Sequence, residues 1–497
     1  MTATAVSSTA SGSPGGSALD PRRWWILAVL GVAQLMVVLD ATIVNIALPS
    51  AQHALGFSDS NRQWIITAYA LAFGSLLLLG GRLSDLVGRK LIFLIGVGGF
   101  AIASAIGGFA DGFGVLVTAR ALQGAFGAML APAALSLLTT TFHEPSERGK
   151  AFAVFGGLAG AGGGVGLLLG GVLTEYLSWR WCLYVNLAFA AVAFAGGMVW
   201  LHANRASERP SLDVPGAITS AAGLFAIVYG FSHADTGGWA NPVTITFLVA
   251  GVALLAGFVA IERTTTHPLL PMRVLWDRSR GGSNLAIFFS GAGMFGLFLF
   301  LTYYMQGTLG YSPVKTGLAF LPTVVAISTA AGIATTQLMH RVGPRPLIVA
   351  GQLLAALGLV LFAQVGLHSG YVTGILPGSL CVGIGLGLVI APGMDAGTLN
   401  VNPRDAGIAS SLVNTSQQVG GSIGTALLNT IAASALTGYL ADHGTSAGAV
   451  ASATVHSYTT AFWWSALIFA IGAVVCGLLL RGGVVQHEGE TVPVPVL

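Results

Sequence analysis

The sequence predicts an all-α integral membrane protein, with most of the chain inside the bilayer. Its 497 residues are 54% hydrophobic and only 8% charged, with a mean hydropathy of +0.80. About a quarter of the residues of an ordinary soluble protein are charged. Apolar runs of the roughly 20 residues that a helix needs to cross the hydrocarbon core recur along the whole chain. Only short polar segments separate them, so no soluble domain fits between the runs.

Fourteen of these runs are predicted as transmembrane helices. In chain order they cover about 24–48, 62–80, 91–110, 113–138, 150–173, 180–201, 213–232, 242–261, 282–306, 313–335, 346–367, 371–393, 406–436 and 457–480. The chain contains 70 glycines, which disfavour long soluble helices but let membrane helices approach closely. The Ser-, Ala- and Gly-rich residues 1–20 lack a basic start and a cleavage motif, so we expect a disordered tail rather than a signal peptide.

The basic residues are distributed unequally between the two predicted sides of the membrane. With fourteen spans and a cytoplasmic N-terminus, seventeen of the 21 Lys and Arg residues fall in inner segments. Arg62, Arg180 and Lys315 fall outside, and Arg120 lies within a span. The positive-inside rule demands this bias, so we expect both termini in the cytoplasm. The three cysteines lie in separate spans without a disulfide or metal pattern, and no metal site is expected.

A weak internal repeat divides the chain into two halves. The segment after the second span is GGRLSDLVGRK (80–90), and the segment after the tenth is TTQLMHRVGPRP (335–346), with Gly88 aligned on Gly343. Such repeats are common in transporters whose two bundles rock around a central site. We therefore predict a disordered cytoplasmic tail, a six-helix bundle, two extra linking helices, a second six-helix bundle and a cytoplasmic tail. Their ranges are 1–20, 21–202, 203–281, 282–481 and 482–497.

Five stretches resemble the signature motifs of a single transporter family. They are LDATIVNIALPS (39–50), GRLSDLVGRK (81–90), ARALQGAFGAMLAPA (119–133), GLAGAGGGVGLLLGGVLTEYLSWRWCLYVN (157–186) and YMQGTLGYSPVKTGLAFLP (304–322). On these stretches the chain resembles the major facilitator superfamily, in particular its fourteen-helix drug:proton antiporters of the EmrB/QacA type. One departure stands out: Leu167 follows Gly166 where the family motif has a proline.

The resemblance implies a major facilitator fold and a non-enzymatic function. We expect a multi-pass protein of the cytoplasmic membrane that exports drug-like or antibiotic amphipathic compounds, some of them cationic, by alternating access. The proton gradient would supply the energy, without a cofactor or nucleic acid, and we expect a monomer. No phosphate-binding loop is present in the sequence. Two alternatives remain: a dedicated exporter of one endogenous metabolite, and a transport-inactive membrane sensor or scaffold.

Asp40 and Arg120 are charged residues within predicted spans. Asp40 lies roughly 24 Å into the first span, and Arg120 lies roughly 10 Å below the outer surface on the fourth, so the two charges reach similar depths. Ionisable groups inside the membrane are costly and usually serve transport. We predict that the pair couples transport to protons, and the alternative is a structural ion pair between two helices.

The loop after the second span is predicted to be a cytoplasmic gate. Its motif residues are Gly81, Arg82, Asp85, Gly88 and Arg89. The two glycines allow close backbone approach, and Asp85 and Arg89 share one face of a helical turn because they are four residues apart. By resemblance, this loop closes the cytoplasmic side in one state. The alternative is a plain polar turn.

The fifth span is unusually rich in glycine. Gly162, Gly166, Gly170 and Gly171 are predicted to form a flexible helix against which the second bundle rocks, and the alternative is filler between close-packed helices. Further polar residues within spans are candidates for the substrate cavity or for interhelical hydrogen bonds. These are Asn45, Tyr69, Gln123, Tyr303, Gln306, Asn414 and Gln417.

Overall fold

A computed structural model of the chain describes most of its residues. The described ranges are 21–58, 61–142, 145–202, 213–265, 268–270, 272–398 and 406–483. The predicted tail at 1–20 and nearly all of the tail at 482–497 lie outside them. Within the described ranges the regular secondary structure is helical throughout, as the composition predicts.

Fourteen long helices lie within the described ranges, and each overlaps one of the predicted runs. The first eight are α1 (Arg23–Leu55), α2 (Gln63–Val87), α3 (Arg89–Gly108), α4 (Phe113–Thr141), α5 (Pro145–Tyr176), α6 (Trp181–Trp200), α7 (Val214–Gly237) and α8 (Pro242–Thr264). The last six are α9 (Arg278–Tyr303), α10 (Pro313–Ile333), α11 (Pro344–Phe362), α12 (Leu376–Thr398), α13 (Ala406–His443) and α14 (Ala447–Leu479). Twelve helices among the described residues are long and apolar enough to cross a bilayer.

Short segments of different geometry interrupt this series. A one-turn helix, Met272–Leu275, follows α8. Single π-helical turns at Tyr304–Thr308 and Ala334–Leu338 follow α9 and α10, and another at Tyr371–Ile375 precedes α12. In α-helices, π turns occur frequently at functional sites. They are common here at the ends of helices in the second half of the chain.

Some helices extend beyond the apolar runs that predict them. The clearest case is α14, which begins at Ala447 rather than near 457. The side chain of Ser446 accepts a hydrogen bond from the backbone N–H of Ala449 and caps this early start. Hydropathy locates the segment that crosses the hydrocarbon core, whereas capping and backbone hydrogen bonds determine where the helix ends.

The helices pack in two groups, which we name the first bundle (α1–α6) and the second bundle (α9–α14). In the first bundle, α4 packs against α2 and α3, and α1 packs against α5 and α6. In the second bundle, α13 packs against α9 and α14, and α12 packs against α10 and α11. The bundles meet along two seams, one between α2 and α13 and one between α5 and α10.

The two inserted helices lie beside one of these seams. Helices α7 and α8 pack against each other, and α7 also contacts both α2 and α13. Leu71 of α2, Val228 of α7 and Ala426 of α13 form a common apolar cluster. Thr430 of α13 also donates a hydrogen bond to the backbone carbonyl of Phe231, at 3.1 Å. The inserted pair therefore bridges the two bundles on the outside of the α2–α13 seam.

Candidate functional site

Asp40 is fully buried within the first bundle, with no accessible surface. Its Oδ2 accepts a hydrogen bond from Nη1 of Arg120 on α4, at 2.5 Å. Its Oδ1 accepts two more, from Nε2 of Gln123 at 2.8 Å and from Nδ2 of Asn186 on α6 at 2.7 Å. Three donors from two other helices therefore surround this carboxylate. Such contacts offset the cost of burying a charge in a low-dielectric interior.

Arg120 is only 1% exposed and has partners besides Asp40. Its Nε donates to the backbone carbonyl of Ile65 on α2 at 3.1 Å, and its Nη1 also donates to Oε1 of Gln123 at 2.9 Å. The guanidinium carbon lies 4.4 Å from the ring centroid of Tyr69, within the range of a cation–π contact. The guanidinium therefore retains favourable contacts that do not depend on the Asp40 charge.

Close approach of α2 and α4 allows Arg120 to reach the backbone of α2. A methyl group added at Gly124 would stand 2.3 Å from the carbonyl oxygen of Tyr69, and one added at Gly80 would stand 2.1 Å from the carbonyl oxygen of Ala128. Only glycine fits at such distances, because no side-chain atom has room there. The Gln-Gly sequence after Arg120 thus supplies both a ligand for Asp40 and the close helix contact.

Two residues of this cluster were not singled out by the sequence. Ser104 of α3 accepts hydrogen bonds from Gln123 at 2.7 Å and from Asn186 at 3.4 Å. Both Ser104 and Asn186 are fully buried. Asn186 is the last residue of the motif stretch 157–186. Its polarity within an apolar span was the signal available in the sequence. Ser104 carries little such signal, because serine is common in membrane helices.

The cluster contains one negative and one positive group, surrounded by neutral polar side chains. One carboxylate and one guanidinium form a buried ion pair, and neutral amides and a hydroxyl complete the hydrogen bonds. Protonation of Asp40 would remove the negative charge and leave Arg120 with Ile65, Gln123 and Tyr69 as partners. The arrangement can therefore hold Arg120 in place whether or not Asp40 is charged.

The residues predicted to line a substrate cavity fall into four places. Gln123 and Tyr69 belong to the buried cluster around Asp40 and Arg120. Asn45 is 6% exposed and donates to the carbonyl of Ala41 on its own helix. Asn414 and Gln417 are half-buried on α13, which lies at a seam between the bundles. Tyr303 and Gln306, in contrast, connect the two bundles directly.

Several polar contacts join the bundles at the end of the molecule where α1 and α5 terminate, predicted to be the outer end. The hydroxyl of Tyr303 donates to Oε1 of Gln52 on α1 at 2.5 Å. Nε2 of Gln306 donates to the carbonyl of Ile46 on α1 at 3.2 Å. The Arg62 guanidinium carbon lies 4.3 Å from the Tyr303 ring centroid. These polar contacts close the two bundles against each other at this end.

The glycines of α5 face two different helices. Methyl groups added at Gly162, Gly166 and Gly170 would collide with α1, the last standing 2.8 Å from the carbonyl oxygen of Ile43. A methyl group added at Gly171 would instead stand 2.6 Å from the carbonyl oxygen of Pro313 on α10. Helix α5 is thus packed tightly on α1 within its bundle and on α10 across the seam.

Contact across the α5–α10 seam is reciprocal. A methyl group added at Gly317 of α10 would stand 2.7 Å from the carbonyl oxygen of Leu167. Leu167, which replaces the usual proline, is 1% exposed at this point. Near the end of the seam, Oε2 of Glu175 accepts a hydrogen bond from the backbone N–H of Val314 at 2.9 Å. At Gly171 and Gly317 the two backbones therefore approach each other directly across the seam.

The predicted gate motif forms the junction between α2 and α3. Gly88 separates the two helices with a φ of +114°, a conformation that favours glycine. Nη2 of Arg82 donates to the carbonyl of Pro268, beyond the end of α8, at 2.6 Å. Gly81 and Arg89 are partly buried, and the side chain of Asp85 lies outside the described part of the structure. We name residues 81–90 the α2–α3 junction.

Comparison with known proteins decides the family. The family model of the Major Facilitator Superfamily matches residues 30–425. The chain belongs to the major facilitator superfamily. The structure resembles a crystal structure of an auto-inhibited peptide transporter of the POT family, with a TM-score of 0.67, 18% identity and coverage of 95% of this chain and 99% of that one. At this identity the likeness shows the shared fold alone.

Several curated relatives are named as antibiotic export or resistance proteins. The chain is 50% identical to the puromycin resistance protein of Streptomyces alboniger, covering 93% of this chain and 92% of that protein. It is 39% identical to the cephamycin export protein of Amycolatopsis lactamdurans, covering 83% and 85%. As a member of the superfamily, the protein is a multi-pass transporter of the cell membrane and not an enzyme.

Proposed function

We propose that the protein is a proton-coupled antiporter that exports antibiotic or other drug-like amphipathic compounds by alternating access. The buried Asp40–Arg120 pair is the observation that supports proton coupling most strongly, because a transport protein keeps such charges in the membrane at a cost. The names of the relatives support the class of substrate. The proton gradient is the proposed energy source.

In this mechanism Asp40 alternates between a charged and a neutral form. For any buried carboxyl group, desolvation and nearby hydrogen-bond donors act in opposite directions on the balance between the neutral acid and the carboxylate. A conformational change that exposes the carboxylate to water on one side shifts this balance and lets a proton bind or leave. Ile65, Gln123 and Tyr69 hold the Arg120 guanidinium meanwhile.

The two bundles are proposed to be the moving parts, joined by the inserted helices. The contacts of Tyr303 with Gln52 and of Gln306 with Ile46 would close the outer side in one state. The α5–α10 seam would provide the surface on which the bundles rock, and the α2–α3 junction would close the inner side in the other state. Alternating access requires that both states be populated.

We further propose fourteen membrane spans with both termini in the cytoplasm. The bias of seventeen inner to three outer basic residues supports this topology. A reporter that is active only in the cytoplasm, fused after Arg481, is expected to be active. The same reporter inserted after Gly238, between α7 and α8, is expected to be inactive. Activity only at the second site would invert the topology, and activity at neither or both would contradict the number of spans.

Puromycin is the first compound to test, because a relative at 50% identity is a puromycin resistance protein. A pump-deficient bacterial host that expresses the protein is expected to accumulate less labelled puromycin than the empty host. A protonophore should restore accumulation, since it collapses the gradient. Unchanged accumulation of puromycin and of a panel of unrelated antibiotics, with the protein present in the membrane, would instead favour the sensor or scaffold.

A dedicated exporter of one endogenous metabolite is the second candidate. It is favoured by the names of the puromycin and cephamycin relatives, each of which refers to one antibiotic or antibiotic class. The same panel separates the two candidates. Reduced accumulation of several unrelated compounds indicates broad specificity, whereas reduced accumulation of a single compound or its close analogues indicates a dedicated exporter.

A further inference from the structure

A second pair of acidic residues lies far from Asp40, at the end of the inserted helix pair. Asp213 precedes α7 and Glu262 lies in the last turn of α8, and their exposed fractions are 6% and 3%. A methyl group added at Gly216 would stand 2.5 Å from Oδ2 of Asp213 and 2.8 Å from Oε1 of Glu262, so both oxygens converge on this glycine.

The outer oxygen of each carboxylate already has a backbone partner. Oδ1 of Asp213 accepts a hydrogen bond from the N–H of Gly216 at 2.9 Å and caps α7. Oε2 of Glu262 accepts one from the N–H of Leu270 at 3.0 Å. The two inner oxygens, Oδ2 and Oε1, are buried and lack a donor among the residues that the structure describes. Both oxygens approach the same point beside Gly216 and both are acceptors when ionised, so a proton shared between the two carboxyl groups would supply the missing donor.

Two charged groups that the structure describes on the neighbouring elements have other partners. On α2, Arg82 points to the carbonyl of Pro268, and on α8, Arg263 lies over the Trp276 ring at 5.7 Å. The described residues of α13 nearest this region, including Ala409 and Leu412, are uncharged. The charged group that acts on Glu262 is Asp213 itself.

Residues 268–270, which we name the strap, connect this pair to the gate. Glu262 binds the strap through the N–H of Leu270, and Arg82 of the α2–α3 junction binds it through the carbonyl of Pro268 at 2.6 Å. The Leu270 side chain packs with Phe258 of α8 and Ala409 of α13. The strap therefore contacts α2 of the first bundle and α13 of the second on the same side of the membrane.

We propose that Asp213 and Glu262 form a proton-binding site in which the two carboxyl groups share one proton, and that this proton keeps the strap bound across the two bundles. When the proton leaves, the two carboxylates repel each other. Glu262 then moves away from Asp213 and releases Leu270, which frees Arg82 and the end of α13. The site thus responds to pH on the gate side, separately from the proton carried by Asp40. Only the effect on export depends on the proposed function.

The test measures release of the strap without measuring transport. Leu270→Cys is introduced into the full chain with its three native cysteines replaced, in lipid nanodiscs, and its reaction rate with a water-soluble maleimide is followed over a pH series. Divided by the thiolate fraction, the rate is expected to rise about tenfold per pH unit below the pH at which the shared proton is lost, and to level off above that pH. In Glu262→Gln, an amide N–H can donate to Asp213 while the amide oxygen accepts from Leu270. In Asp213→Asn, the amide N–H can donate to Glu262 while the amide oxygen accepts from Gly216. Both variants should therefore react slowly at every pH.

Two control variants show the reaction rate of a released strap and the effect of removing an unrelated carboxylate. Glu262→Ala should react rapidly at every pH, because it cannot bind Leu270. Asp277→Asn should keep the original pH dependence, because Asp277 caps α9 through Ser279 and Arg280. The same pH dependence in Glu262→Gln and Asp213→Asn as in the parent would overturn the shared proton. Rapid reaction of both amide variants at every pH would also overturn it, since it would mean that the strap requires the negative charge.

Discussion

Asp40→Asn is expected to abolish proton-driven accumulation of substrate while leaving substrate binding in place. Asparagine resembles the neutral form of the aspartate, so the protein can no longer bind and release a proton at this position. The hydrogen bonds from Gln123 and Asn186 to Asp40 can be kept by the amide oxygen. The measurement uses purified protein in liposomes, assayed for puromycin binding and for uptake driven by a pH gradient. Uptake should fall to the level of protein-free liposomes.

A purely structural role for the ion pair predicts a different outcome. Removal of one partner of a buried pair typically costs about 3–5 kcal/mol, because the other charge is left unpaired. The main effect of Asp40→Asn would then be a loss of folded protein. The double variant Asp40→Asn/Arg120→Gln removes both charges and should recover that protein if the role is structural. If Asp40 carries the proton, the double variant folds but still does not couple to the gradient.

Asp442→Asn is the control for charge removal, because Asp442 is exposed near the end of α13 and contacts neither site. It should transport normally. Normal proton-driven transport by Asp40→Asn would exclude Asp40 as the carrier. Attention would then turn to the other acids near helix ends, Glu175 and Asp395. Glu175 already binds the backbone of Val314 across the seam between the bundles.

The sequence predicted the depth of Asp40 and Arg120 but not the composition of their surroundings. The helical rise along two spans of opposite direction is enough to place the two charges at one level. Which face of α3 and α6 turns toward them depends on how helices pack. Hydropathy does not encode this when every face is apolar. Ser104 and Asn186 therefore emerge only in the structure, and so does the fact that Gln123 and Tyr69 belong to this cluster.

The glycines of α5 show a similar limit. Their density predicted close packing, which the structure has, but density does not identify the partner helix. Gly166 and Gly170 face α1, whereas Gly171 faces α10 across the seam. The strap was missed altogether, because Glu262 appeared as an ordinary polar residue at the end of a span. Its significance depends on the convergence of its Oε1 with Oδ2 of Asp213 beside Gly216, and Asp213 is 49 positions earlier in the chain.

Gly171→Ala is expected to reduce export strongly without preventing folding. The added methyl group would stand 2.6 Å from the carbonyl oxygen of Pro313 and 2.9 Å from Cα of Val314, both in the backbone of α10. A backbone cannot rotate away as a side chain can, so the α5–α10 seam must widen at this end. Overpacking of this kind costs about 1–3 kcal/mol. That cost falls on the state in which the bundles touch here, and a bias of this size changes the ratio of the two states by about 5-fold to 150-fold.

Gly163→Ala is the matched control on the same helix, because a methyl group added there meets no atom within 4 Å. Both variants gain the same helix propensity, so their difference isolates the contact with α10. The distance between spin labels at Asp111→Cys and Gly307→Cys, exposed positions at the outer ends of the first bundle and after α9, reports separation of the bundles. Gly171→Ala should shift the distance distribution to longer values and lower puromycin export, and Gly163→Ala should change neither. Equal export by the two variants, with unchanged distances, would mean that the seam is a static packing surface and that the bundles do not move against each other there.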